Sequence, residues 1–262
     1  MLYPMKILKN IVPYNSLSTH WIIYSFFVYL MQLFVTEYTK KDTHIIVADT
    51  DLLSQLRKVL RVSIGDVIWI QSPHKEDKKI RYEIRIEVWD NKMVEWTIIS
   101  EQTHENTHKK RNMIVAMPNK RDKVELIIQK LTECGLDQIV FWPSERSIIR
   151  ERNPKKEERL QKIIKEAVEQ SRGRTVPELL FTNNPKSLVA DNLLVIFDKQ
   201  TEISHKEKSD HMYGLIWPEG GLTTRDYQTF EWTTHTIYTL GETILRTETA
   251  AIIWGRILKN NI

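Results

Sequence analysis

The chain has 262 residues, of which 41% are hydrophobic and 27% charged, and a formal net charge of +4. That is too apolar and too weakly charged for a disordered polypeptide. A single cysteine, Cys134, excludes a disulfide-built scaffold and makes the cytosol the expected compartment. Glycine is scarce, with 8 residues against 8 tryptophans, where average usage of about 7% gives roughly 18.

No charged side chain occurs between Asn10 and Thr36, and the densest apolar run, Trp21 to Val35, covers about 15 residues. A bilayer span needs roughly 20, and no small-residue cleavage site follows the run. The expectation is that residues 1–30 are an upstream extension outside the functional fold. The fold then starts at Met31 with a buried strand, and no membrane partner is expected. An amino-terminal membrane anchor is the alternative.

Residues 31–101 read as a small β-rich domain. His44 to Ala48 is an apolar strand. A helix is predicted over Asp51 to Val62, with Leu52, Leu53, Leu56, Val59 and Leu60 on one face and Arg57, Lys58 and Arg61 on the other. Val67 to Gln71 forms the next strand. Alternation from Lys79 to Glu87, a break at Asp90-Asn91 and resumption from Met93 to Ile99 predict a hairpin with one buried face. Short strands around one small helix suggest a compact barrel of a kind used for nucleic acid. The polar stretch Glu101 to Arg111, with His104 and His108 four apart, reads as a linker. No cysteine or carboxylate cluster accompanies those histidines, so no metal is expected.

From residue 112 to 262 strands and helices alternate, which predicts an α/β domain with a mainly parallel sheet. The strands are Met113–Met117, Ile139–Phe141, Glu178–Phe181, Leu193–Phe197 and Tyr213–Ile216. The helices are Lys123–Cys134, closed by Gly135 as a left-handed terminator, Lys155–Ser171, and a last one from Thr247 to about Lys259. No GxGxxG, phosphate loop, HExxH or CxxC occurs, and Ser144-Glu145-Arg146-Ser147 lacks the glycines of a nucleophile elbow. Two late segments, Leu215 to Thr223 and Leu240 to Ala250, follow strands, where open α/β sheets bind ligands. Tight loops without a ligand explain their composition equally well.

Those segments carry a resemblance. PEGGLT at 218–223 and LGETILRTETA at 240–250 occur with SERS at 144–147, EAVEQS at 166–171 and VPE at 176–178. With MQLFV at 31, KVLRVSIGD at 58–66 and RDKVELIIQKLTECG at 121–135, they resemble the RsmE family of 16S rRNA uridine-N3 methyltransferases, from about Met31 onward. The resemblance implies a SPOUT domain with a deep trefoil knot behind a PUA-like barrel, working as a homodimer on 16S rRNA of the small ribosomal subunit. It implies S-adenosylmethionine as cofactor, lying on Leu194, Phe197, Ile216, Trp217, Pro218, Glu219, Gly220, Gly221, Leu240, Gly241, Ile244, Leu245 and Arg246. Catalysis would rest on Arg246, which stabilises charge on the uracil oxygens, with Glu219 or Glu248 orienting it or helping to remove the N3 proton. RNA phosphates would meet Arg57, Lys58, Arg61, Lys120, Arg121, Arg146, Arg172 and Arg174. Alternatives are methylation of another rRNA base and a non-catalytic ribosome-binding or assembly protein.

Four departures from the family pattern stand out: Gln55 for histidine, Ser171-Arg172-Gly173 for Ser-Gly-Arg, Thr243 for arginine, and Trp217 for glycine. An indole at 217 is expected to crowd the cofactor pocket. It also suggests that UGA codons, read as glycine in some bacterial lineages, stand behind Trp217 and, by the same reading, Trp89 and Trp254.

Overall fold

The structure is a computed structural model of the chain and describes residues 32–73, 80–89, 94–103, 109–147, 154–197, 209–230, 233–239 and 241–261. The proposed extension 1–30, the Asp90-Asn91 break and His104 and His108 therefore lie outside the described residues.

The amino-terminal sheet has six strands: β1 (Leu33–Val35), β2 (Thr39–Lys41), β3 (His44–Val47), β4 (Val67–Gln71), β5 (Ile80–Trp89) and β6 (Val94–Thr103). Their order is β1-β4-β5-β6-β3-β2. Only the β1–β4 pair is parallel within it. β5 and β6 are longer than the alternation predicted. Pairing of Ile80 with Thr103 carries the hairpin into the polar stretch expected to be a linker. The polarity of 101–103 reflects an exposed strand end, not a missing one.

Between β3 and β4 lies α1 (Thr50–Ser54), followed without a break by a π-helical turn over Gln55–Val59. Its cap is Asp49, two residues before the predicted start, whose side chain accepts the N–H groups of Asp51 and Leu52. Leu52, Leu53 and Leu56 face the core, whereas Val59 is 68% exposed because the wider turn rotates it outward.

The carboxy-terminal sheet contains β7 (Lys110–Ala116), β8 (Gln138–Trp142), β9 (Glu178–Phe181), β10 (Leu193–Phe197), β11 (His211–Ile216) and β12 (His235–Tyr238). The order is β12-β10-β11-β7-β8-β9, with every pair parallel. Its helices are α2 (Arg121–Glu133), α3 (Pro154–Ser171), α4 (Lys186–Val189), α5 (Thr224–Phe230) and α6 (Thr247–Asn261). One core cluster joins α2, α3 and α6 to one face of this sheet, and a second fills the opposite face. Sheet strands buried on both faces read as continuous apolar runs, as Leu193–Phe197 does.

β1 joins the two halves. Its three residues are at most 2% exposed: Phe34 packs into the amino-terminal core, and Leu33 and Val35 into the carboxy-terminal one. The Val35 N–H donates to Glu169 of α3 at 2.9 Å. Arg81 donates from Nη2 to the Gly173 carbonyl at 2.6 Å and to Gln71 Oε1 at 3.1 Å. Burial lowers the pKa of this guanidinium to about 10, helped by the neighbouring charge of Arg174.

Candidate active site

A cavity of about 430 Å³ opens at the carboxyl ends of β10 and β11. Its walls are Phe197, Ile216 to Glu219, Gly221, Gly241, Thr243 to Thr247, Ala250 and Trp254. Most of the predicted cofactor set meets here: Phe197, Ile216, Trp217, Pro218, Glu219, Gly221, Gly241, Ile244, Leu245 and Arg246. Leu194 does not, because it points into the core on the opposite face. Gly220 lies outside the wall and instead offers its carbonyl to the Arg146 guanidinium. Leu240 lies outside the described residues.

Sequence reasoning missed Thr247, Ala250 and Trp254 as wall residues. Their spacing of three and four places them on one face of α6, and the amphipathic pattern of the last helix held that signal.

The loop after β11 is tied down on both sides. Thr223 and Asp226 form a reciprocal cap at the start of α5: the Thr223 N–H donates to Asp226 Oδ2 at 2.9 Å, and the Asp226 N–H to Thr223 Oγ1 at 3.2 Å. Asp226 Oδ1 also accepts the Glu145 N–H at 3.0 Å, and Thr223 Oγ1 donates to Glu145 at 2.5 Å. In the same loop as Glu145, Ser147 Oγ donates to the Met117 carbonyl at 3.1 Å. The SERS segment is thus a brace for the cavity loop.

On the other side, Thr247 Oγ1 donates to the Trp217 carbonyl at 3.1 Å and pins the start of α6 to the loop. The Trp217 indole stands edge-on to Tyr227, with ring centroids 5.5 Å apart at 88°. It packs partly buried against the second core, so the ring forms a wall and the expected crowding does not close the cavity. Its Nε1 is buried without a hydrogen-bond partner.

Among the described residues neither glutamate, Glu219 or Glu248, makes a contact that would orient Arg246. Lys123 of α2 takes both carboxylates, at 2.7 Å to Glu219 Oε1 and 3.3 Å to Glu248 Oε2. The second contact is an ion pair without hydrogen-bond geometry, and Glu248 Oε2 is buried without a hydrogen bond. The hydrogen bond to Glu219, more than the contact with Glu248, raises the Lys123 pKa above its usual 10.5. Arg246 is exposed on the cavity wall and has no side-chain partner among the described residues.

The predicted RNA-binding cations are not gathered in one place. Arg57, Lys58 and Arg61 are exposed on and after the π-helical turn. Lys120 and Arg121 stand at the start of α2, and Arg146 donates to the Gly220 carbonyl. Arg172 and Arg174 follow α3, in the loop that receives Arg81.

A parallel α/β sheet with a braced ligand cavity at the carboxyl ends of its strands defines a small-molecule-binding or cofactor-using class of protein. The sequence model of the RNA methyltransferase domain matches residues 106–259. The ribosomal RNA small subunit methyltransferase E of Bacillus subtilis is 33% identical over 175 residues, 59% of this chain and 68% of that protein. The small subunit methyltransferase E 2 of Borreliella burgdorferi is 25% identical over 85% of this chain and 94% of its own. A crystal structure of the Neisseria gonorrhoeae small subunit methyltransferase E bound to S-adenosylmethionine superposes with a TM-score of 0.73 at 26% identity, covering 87% of this chain and 97% of that one. The chain belongs to the RsmE family of RNA methyltransferases. Its fold is accordingly that of a SPOUT domain behind a PUA-like barrel.

Proposed function

We propose that this protein methylates N3 of a uridine in 16S rRNA of the small ribosomal subunit, with S-adenosylmethionine as methyl donor. The observation that carries the reading is the cavity itself, in a chain of this family. Its volume falls in the range of small-molecule sites, and its apolar walls suit the faces of an adenine. The buried, unpartnered Trp217 Nε1 is a donor that a ligand acceptor would satisfy.

The cofactor supplies a methyl group on a sulfonium centre. The chain's own residues do the rest. Phe197, Ile216, Trp217, Leu245 and Trp254 exclude water, and Arg246 turns its free guanidinium to the uracil oxygens as N3 loses its proton. Glu219, which lines the cavity, accepts that proton, whereas Glu248 is not part of the wall and pairs with Lys123. Arg57, Lys58, Arg61, Lys120, Arg121, Arg146, Arg172 and Arg174 contact phosphates and supply affinity without reading sequence.

The same reading includes a cytosolic homodimer and a trefoil knot in the carboxy-terminal sheet. Ile244, 82% exposed at the cavity mouth, and Ile253 on α6 leave apolar surface that a second copy would cover. Calorimetric titration with S-adenosylmethionine is the direct test of the site. Binding to the wild-type chain supports the reading. No binding, even after Trp217→Gly, favours a non-catalytic ribosome-binding protein.

A further inference from the structure

Lys123 lies outside the cavity wall, yet it connects three elements of the site: α2, which carries it, the loop of Glu219, and the first turn of α6 at Glu248. Two carboxylates within 3.3 Å of one nitrogen are close neighbours that would repel without the ammonium between them. Arg246 is two residues from Glu248 and shares a cavity wall with Glu219. A guanidinium in that neighbourhood ordinarily pairs with carboxylate in a two-pronged contact. Here it has no such partner among the described residues.

We propose that Lys123 is a positioning residue: it holds Glu219 and Glu248 away from Arg246 and so keeps the guanidinium free for the nucleotide. Two acids and two bases make the cluster neutral overall, with the only unpaired cation facing the cavity. Without Lys123 the freed carboxylates turn to Arg246, and the donor needed when the base loses its proton is occupied. The site loses turnover and keeps its cofactor, because Lys123 is not itself part of the cavity wall.

This inference rests on the proposed methyltransferase activity. The experiment measures methyl transfer from labelled S-adenosylmethionine to unmodified small ribosomal subunits, with cofactor affinity measured in parallel by calorimetry. The proteins are the wild-type chain, Lys123→Met, Lys123→Arg and the double variant Lys123→Met/Glu248→Gln. Lys123→Met is expected to lose about tenfold or more in kcat while its cofactor Kd changes less than about threefold. Lys123→Arg, which keeps the cation, stays within about threefold of wild type, and removing the uncompensated Glu248 charge recovers part of the loss. A kcat for Lys123→Met within about twofold of wild type overturns the proposal. So does a loss confined to cofactor affinity, or a Lys123→Arg variant as impaired as Lys123→Met. Failure of the wild-type chain to bind cofactor and transfer methyl defeats the activity itself, and this proposal with it.

Discussion

Position 214, in the central strand β11, has no room for a side chain. A Cβ there would stand 2.8 Å from Met113 Sδ and 2.9 Å from Phe197 Cε2. Phe197 is itself stacked on Trp254, with ring centroids 3.7 Å apart, so it has little freedom to yield. Gly214→Ala is predicted to cost about 1–3 kcal/mol in a denaturant titration and to narrow the cavity that Phe197 lines. Position 217 is different. Trp217 has no left-handed backbone, unlike Gly221 at φ +71° and Gly241 at φ +105°, and its ring has a place against Tyr227. Trp254 is 3% exposed in the core, where a glycine would leave a void worth about 3–5 kcal/mol. Space and backbone therefore make no demand for glycine at either site. Reading codon 217 decides the UGA question: UGA supports a glycine there, and UGG excludes it.

At the scale of elements, the end of α3 shows what a transposed pair of residues does. The left-handed position that closes this helix is Arg172, at φ +53°, and the glycine comes one residue later. The Gly173 N–H still reaches the Val168 carbonyl at 2.9 Å, so the terminator works with the wrong residue in the strained place. Arg172→Gly is predicted to raise unfolding stability by up to about 1 kcal/mol, read as a higher denaturant midpoint. If phosphate contacts run through this side chain, the same variant weakens RNA binding and flattens its salt dependence.

The long helices were legible because their apolar positions recur over three turns or more: α2 and α3 begin and end within two residues of expectation. β12 and β2 were not predicted, because HTIY and TKK hold at most one aliphatic residue each, whereas the equally short β9 and β3, ELLF and HIIV, are mostly apolar. The π-helical turn was missed because Leu56, Val59 and Leu60 fit a helical stripe equally well on paper. Within the site, the loops were legible from their motifs. The partner of the two glutamates was not, because Lys123 lies 96 residues from Glu219 and still farther from Glu248 along the chain, and looks like any surface cation of an amphipathic helix.

At the scale of the whole molecule, the two sheets are joined by polar contacts that respond to pH. Glu169 sits at that junction, accepting the Val35 N–H. Burial raises its pKa above the ordinary 4.5, against the lowering effects of that hydrogen bond and of Lys165. The folded chain therefore holds this proton more tightly than the unfolded one. The stability it confers is complete below pH 4.5 and is lost as pH rises through the folded value. Glu169→Gln keeps an oxygen for Val35 and carries no charge. It is predicted to be at least as stable as wild type at neutral pH and to flatten the decline in stability above pH 4.5, followed by thermal unfolding across a pH series. A steeper decline in the variant would contradict that assignment.

The parallel order of the second sheet followed from alternating strands and helices. A knot has no such local signature, since it depends on which segment passes through which. The proposed activity is tested by mapping base methylation across small-subunit rRNA from cells with and without the gene. One N3-methylated uridine is expected to disappear when the gene is removed and to return with the wild-type chain but not with Arg246→Ala. An unchanged methylation map, or loss of methyl from a different base, would contradict it.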